Sequence, residues 1–205
     1  MRSLIVAFVL LALTCAAPAH AGPPFLWQSW VDPTLVACPA GDSLFLIVPW
    51  RYHPMAGATV DVDFSACAGA QFAPPDGTEG YQFGTGPSSR VVFIFSDAQG
   101  RAEFRLRAGG TCPAGSVQLW ADGESFGVRA LASFDQDGNL SVGPEDVALA
   151  TAKLGSSDPT ADFDGDGAVT AADLAILNAH LGHHAPGMAT PVASRTWGTL
   201  KLLYR

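Results

Sequence analysis

Between Phe25 and Ser133 the hydrophobic positions fall in short runs. SLFLIVPW, ATVDVDF, RVVFIF, AEFRLRA and SVQLWAD are rich in Val, Phe, Leu and Ile, and clusters of Gly, Pro, Asp and Ser divide them. ATVDVDF and AEFRLRA alternate apolar with polar, the period of a strand with one buried face. SDAQGR lies between two of the runs and reads as a hairpin turn. No helix-period segment intrudes. The pattern predicts a β-sandwich of about seven strands over about 100 residues. If consecutive strands run antiparallel, Cys38, Cys67 and Cys112 all fall at one end of it. A disulfide is then geometrically accessible. The sequence does not choose the pair, and we lean to Cys67–Cys112.

After Ser133 the period changes. SFDQDGNLSVGPEDVALATAKLGSSDPT precedes ADFDGDGAVTAADLAILNAHLGHH, and the two are copies of one unit offset by 27 residues. Asp135 matches Asp162, Asp137 matches Asp164 and Asp146 matches Asp173. Val147, Leu149, Leu154 and Gly155 match Leu174, Ile176, Leu181 and Gly182. Leu174, Leu177 and Leu181 share one helical face. Gly155 and Gly182 stand where a left-handed C-terminal cap belongs. A unit this short buries its stripe only against another, so the two copies are expected to pack face to face.

The acidic loops ahead of each stripe carry the chemistry. Like charges set that close repel, and a hard divalent cation offsets the repulsion; Ca2+ takes the most oxygen ligands. A twelve-residue calcium loop directs positions 1, 3, 5, 7, 9 and 12 inward and turns sharply at a glycine in position 6. In the second copy Asp162, Asp164 and Asp166 take positions 1, 3 and 5. Gly167 takes 6, Ala168 offers its carbonyl at 7, Thr170 at 9 doubles as a helix N-cap, and Asp173 takes 12. In the first copy Asp135, Asp137, Asn139, Ser141 and Asp146 take 1, 3, 5, 7 and 12. Pro144 then falls in the first helical turn, where its missing N–H is harmless. This register puts Leu140 at position 6, which wants positive φ. The alternative seats Gly138 there but needs two inserted residues before Asp146. We prefer the first, which keeps loop length and helix phase equal in the two copies. Two Ca2+ sites are expected, the second the stronger.

Two family resemblances follow from these stretches. GATVDVDF and SDAQGRAEFRL resemble bacterial Ig-like modules of the invasin/intimin type, over about half the chain. The duplicated loop-plus-helix unit resembles a type I dockerin domain, over about a quarter of it. That resemblance implies docking onto a cohesin-like partner in extracellular assemblies that degrade polysaccharide. Loop positions 10 and 11, which read the partner in that family and are often Ser-Thr, are Pro144-Glu145 and Ala171-Ala172 here. The fold class expected is multidomain. An all-β Ig-like sandwich (22–132) precedes a small all-α dockerin-like pair of calcium loop–helix units (133–184) and a tail (185–205).

The first 21 residues have Arg2, an apolar stretch from Leu4 to Leu13 and small residues ending in Ala19-His20-Ala21. That is the layout of a cleaved secretory signal. Export permits disulfides, and no later stretch is long enough to span a bilayer. The balance of 19 acidic to 11 basic residues argues against a nucleic-acid partner. No H-E-x-x-H or C-x-x-C occurs, so the chain reads as non-enzymatic. Asp61 and Asp63 share a strand face, read as solvated. His180, His183 and His184 follow the second helix, read as a polar helix end in preference to a transition-metal site. Trp27, Trp30, Trp50, Tyr52 and Tyr81 are a candidate sugar-stacking face, with core packing an equal explanation. In the tail, Trp197, Leu200, Leu203 and Tyr204 suggest a docking tag or a strap closing the sandwich. The expected function is a secreted calcium-binding protein that docks to a cohesin-like protein or cell-surface scaffold. The alternative is a glycan-binding or adhesive surface protein with the calcium unit as spacer.

Overall fold

A computed structural model describes residues 28–73, 80–84 and 90–187. The secretory signal, Trp27 and the tail from residue 188 lie outside the described residues.

Alternation builds the sheets. In β4 (Thr59–Asp63), Val60 and Val62 are fully buried while Asp61 and Asp63 point to the half-exposed face. The largest sheet has six strands. Its order is β2 (Leu35–Ala37), β11 (Glu124–Ser133), β10 (Cys112–Ala121), β4, β7 (Val91–Phe95) and β6 (Gln82–Phe83). Only the β2–β11 pair is parallel. A three-stranded antiparallel sheet comprises β1 (Trp30–Val31), β3 (Phe45–Val48) and β8 (Ala102–Phe104), and β5 (Gln71–Phe72) pairs with β9 (Ala108–Gly109). The two larger sheets share one core. Phe45 stacks on Phe104 at 5.1 Å between centroids, and both join Val60, Val62, Val92, Leu119 and Leu131.

The five expected runs contain β3, β4, β7, β8 and β10. The SDAQGR turn forms, with Asp97 Oδ1 accepting the N–H groups of Gln99 and Arg101. It does not close a hairpin: β7 and β8 belong to different sheets, and the chain crosses between them there. Cys67 and Cys112 are disulfide-bonded, with Cα atoms 5.5 Å apart, and Cys38 is a buried free thiol.

The expected second domain is corrected by the structure. The described chain is mostly β, with two short helices, α1 (Pro144–Thr151, 8 residues) and α2 (Ala171–Ala179, 9 residues). They do not form a separate all-α unit. Their apolar core unites Ala150 of α1 and Leu177 of α2 with Phe134, Val142 and Phe163 from the loops and with Cys38 and Ala132 of the sheet region. The physical reason is size. Two helices of about two turns each bury too little surface against each other to stand alone. The sheet end supplies the third wall. Of the face expected to pack, Leu177 is fully buried and Leu174 partly so, but Leu181 is exposed at 43%, as are Leu149 and Leu154 at 44% and 49%. Among the described residues no helix is long and apolar enough to cross a membrane.

Candidate metal centre

Each acidic loop is held by the first turn of the helix that follows it. Thr170 caps α2, its hydroxyl accepting the Ala172 N–H at 3.1 Å, while Asp173 accepts the Thr170 N–H at 2.7 Å. In α1 the cap is Gly143, whose N–H reaches Asp146 at the same 2.7 Å. Pro144 occupies the first helical position.

From there the two loops match bond for bond. Asp135 Oδ1 accepts from Gly138 and Asn139 at 2.8 and 3.1 Å; Asp162 Oδ1 accepts from Gly165 and Asp166 at 2.8 and 3.1 Å. The second oxygens of these carboxylates take the N–H of Leu140 and of Gly167. Asp146 Oδ1 spans back to Gln136 and Asp137, and Asp173 Oδ1 to Phe163 and Asp164. Asn139 accepts from Ser141, as Asp166 accepts from Ala168, both at 2.9 Å. Leu140 has φ of +64°, matching +93° at Gly167, and Gly138 at +79° matches +72° at Gly165. The equal-length register is therefore the one the backbone adopts, with a leucine in the left-handed region.

Carboxylate oxygens of Asp135, Asp137 and Asp146 lie within 4.8 Å of one another, and so do those of Asp162, Asp164 and Asp173. Asp166 stands outside the second trio. Ser141 and Ala168, at position 7, donate their backbone N–H groups to Asn139 and Asp166. Burial, then the Asp137 side chain and the Asp146 charge, push the Asp135 carboxyl up to about 7. Desolvation, then the charges of Asp173, Asp166 and Asp162, raise Asp164. Burial would raise Asp173 too, but the N–H groups of Thr170, Phe163 and Asp164 outweigh it and leave it lowered. Carboxylates that burial, and then one another's charge, drive toward protonation mark a place for a cation.

The two copies also exchange backbone bonds about a pseudo-twofold. Gly155 N–H donates to Val169 O at 2.8 Å and Gly182 N–H to Val142 O at 2.9 Å. Val169 N–H returns to Ser156 O, and Val142 N–H to His183 O, both at 2.8 Å. Each copy's end thus braces the other copy's loop. The glycines the pattern places at the helix ends have φ of +79° and +86°. The first loop is further seated on the sheet: Gly110 N–H donates to Asp135 O at 2.7 Å, and a Cβ on Gly109 would sit 1.7 Å from Asp135 Oδ2.

The remaining candidates separate. Asp61 and Asp63 lie on the outer face of β4; burial and then the Asp122 charge raise the Asp61 carboxyl, and Asp63 accepts from Ser65 N–H. The aromatic candidates do not form one surface. Tyr81 is in the core, whereas Trp30 and Tyr52 are 50% and 81% exposed. His184 is half-buried, its Nδ1 against Gly182 O. His183 meets two groups that no sequence pattern ties to it, Asp42 and Cys38. Asp42 received no role from the sequence, and the 145-residue separation of Cys38 from His183 explains why. Comparison with protein-family models, with curated proteins and with solved structures finds no match to this chain, so none of them identifies the repeat as dockerin-like.

Proposed function

We propose that this is a secreted, non-catalytic calcium-binding protein in which two Ca2+ ions, one per acidic loop, set the loop–helix repeat for docking to another protein. The observation that carries the reading is the bond-for-bond identity of the loops across the 27-residue offset. Two acidic turns of unrelated purpose have no reason to share cap, register and left-handed position. The donor sets fit the ion: Asp, Asn and backbone oxygens are hard ligands. Ca–O distances of about 2.3–2.6 Å put ligands on opposite sides of one ion about 5 Å apart, and each trio already falls inside that span. Each carboxylate oxygen has lone pairs beyond those its N–H donors use. The ion supplies positive charge at the centre of the loop; Asp146 and Asp173 tie that centre to the helix starts.

The Cys67–Cys112 disulfide supports an oxidising compartment, in keeping with the secretory leader. The repeat-matched pair Leu154 and Leu181, with Leu149, leaves apolar side chains on the outer side of the helices. That supports a protein partner there, of the cohesin-like class the loop resemblance implies. Trp30 and Tyr52 support the second reading, a glycan-binding surface on the sheets, with the calcium unit as spacer.

Calorimetric titration of the full chain tests the calcium reading. Two equivalents are expected, the tighter lost in D162N/D164N and the weaker in D135N/D137N. Absence of uptake, or a thermal unfolding curve indifferent to a chelator, would overturn it. Capture of cohesin modules, set against glycan-array binding by the same chain, separates docking from the second reading.

A further inference from the structure

A second kind of metal chemistry gathers on the other side of the repeat. After β2 the chain runs Cys38-Pro39-Ala40-Gly41-Asp42. Gly41 N–H donates to Cys38 O at 2.9 Å, and Gly41 has φ of +76°, so the turn folds Asp42 back beside Cys38. At the end of α2 a second turn, His183 N–H to His180 O at 3.0 Å, places His183 over the first. The two turns meet. His183 Nδ1 is 2.8 Å from Asp42 Oδ2 and 3.9 Å from Cys38 Sγ, and the three atoms lie within 4.8 Å of one another. His180 Nε2 is 3.9 Å from the same Asp42 oxygen. The other His180 nitrogen lies 2.9 Å from Ile176 O. That contact makes Nδ1 the N–H and leaves Nε2 with its lone pair toward the cluster, the carbonyl-oriented arrangement common among metal-bound imidazoles. Stacking on Phe134 at 3.9 Å between centroids fixes the ring.

We propose that Cys38, Asp42 and His183, with His180 as fourth ligand, bind a divalent transition metal, zinc foremost. Thiolate, imidazole and carboxylate are the zinc donor classes, and four of them complete a tetrahedral site. With Zn–S about 2.3 Å and Zn–N or Zn–O about 2.0–2.1 Å, tetrahedral ligands stand about 3.3–3.6 Å apart. The Cys38–His183 separation is close to that. The Asp42–His183 pair must part by about half an ångström, which two turns at the surface allow. The side chains of Asp42 and His183 are 41% and 36% exposed, so the ion has a way in beside the buried sulfur.

The competing chemistry is a nucleophilic thiol with His183 as base and Asp42 as orienting acid. The geometry opposes it. Such a triad puts thiol and carboxylate on opposite ring nitrogens, whereas here both face the same Nδ1. Burial and the Asp42 carboxylate also push the Cys38 thiol up, against a free thiolate nucleophile. Ligand atoms of three side chains that lie within 4.8 Å of one another, with His180 Nε2 3.9 Å from one of them, suit an ion. Bound there, it would pin the end of the repeat to the β2–β3 turn across 145 residues of chain, independently of the calcium loops.

Cobalt is the probe. The full chain, with the Cys67–Cys112 disulfide intact and Cys38 free, saturated with Ca2+ to fill the acidic loops, should take one equivalent of Co2+ with a near-ultraviolet thiolate-to-cobalt charge-transfer band and strong tetrahedral visible bands. Zn2+ should erase both. C38S should abolish the charge-transfer band. D42N and H183N, on half-exposed turns, should keep the wild-type circular dichroism yet weaken cobalt binding at least about tenfold, the lower range for losing even a supporting partner. H184N should match the wild type. The proposal is overturned if saturating Co2+ gives no charge-transfer band, or if D42N and H183N bind as tightly as the wild type. Visible bands alone, without the sulfur transition, would mean a histidine-only surface site and would overturn it equally.

Discussion

The two acidic loops share a backbone and differ in what surrounds it. The first is walled in: Asp135 and Asp146 are fully buried, Asp135 rests on the glycine ledge of β9, and position 2 is the buried Gln136. Gln136 is held by Ser133 O, Thr160 O and Lys153 Nζ. The second buries Asp162 and Asp173 as well but leaves Gly167 and Ala168 exposed, with Phe163 at position 2 tilted against Phe134 at 5.0 Å and Gly165 near Pro33. It carries Asp166 where the first has Asn139, and Gly167 where the first has Leu140. The contrast teaches that a duplicated unit keeps its hydrogen-bond plan while its packing diverges. One loop has become part of the sheet's edge; the other keeps the fuller ligand set.

The largest expected effect comes from breaking the first loop's seat. In G109A the new Cβ overlaps Asp135 Oδ2, and neither group can yield, since Asp135 is tied by backbone bonds on both oxygens. Overpacking of this kind costs about 3 kcal/mol, so a melting temperature lower by at least about 6 °C is expected for a chain of this length. Calcium titration of the same variant should lose its weaker step and keep its tighter one. Equal weakening of both steps would show that the loops are not separately seated.

Proton linkage distinguishes the loops next. Asp135 holds its proton to about pH 7 in the folded chain against 3.8 as its ordinary value. The folded state therefore binds the extra proton between those values. In chelator the stabilising contribution is full below about pH 4 and is lost as pH rises through 7. Asp173 is lowered, so its contribution is present above its ordinary value and disappears as pH falls below it. Calcium reverses the balance at the first loop, because the ion must displace the Asp135 proton. The weaker titration step should lose about tenfold in affinity per pH unit below 7, and the tighter step should decline less steeply over the same range. Parallel decline of the two steps would contradict the opposite shifts of Asp135 and Asp173 on which this rests.

Much of this contrast was legible in the residues. The matched aspartates, the glycines at 155 and 182, and the need for a left-handed residue at 140 all follow from one repeat laid over itself. Alternation placed β4 and β8, and runs rich in Val, Phe, Leu and Ile placed β3, β7 and most of β10. What escaped reading is instructive. β11 is interrupted by Gly127 and Arg129, so its apolar pattern is weak; the signal present was Asp122-Gly123, a two-residue turn with φ of +47° and +79° joining it to β10. The helical stripes suggested a self-sufficient pair, because periodicity reports that a face is apolar, not what covers it. Here the cover is Ala132 and Cys38 of the sheet region. The Cys38–Asp42–His183 cluster joins two turns from opposite ends of the chain, a juxtaposition no local spacing encodes.

The smallest expected effect is the most direct comparison of the loops. Leu140 is held at φ of +64° where Gly167 sits at +93°. A side chain in that region costs about 1–2 kcal/mol, and glycine returns part of the gain as unfolded-chain entropy, about 0.5–1 kcal/mol. Leu140 takes no place in either apolar core, so little burial is forfeited. L140G should therefore stabilise the protein by about 1 kcal/mol, a rise of about 2–4 °C in melting temperature. G167A, with open space around its Cβ, should lower it by a similar amount through backbone strain alone. Because the carboxylates hold the turn through the same N–H bonds whichever residue is present, calcium affinity at each loop should stay within about twofold of the wild type in both variants, a change under about 0.5 kcal/mol. A large gain in affinity for L140G would instead mean that the first loop takes its shape only when the ion arrives.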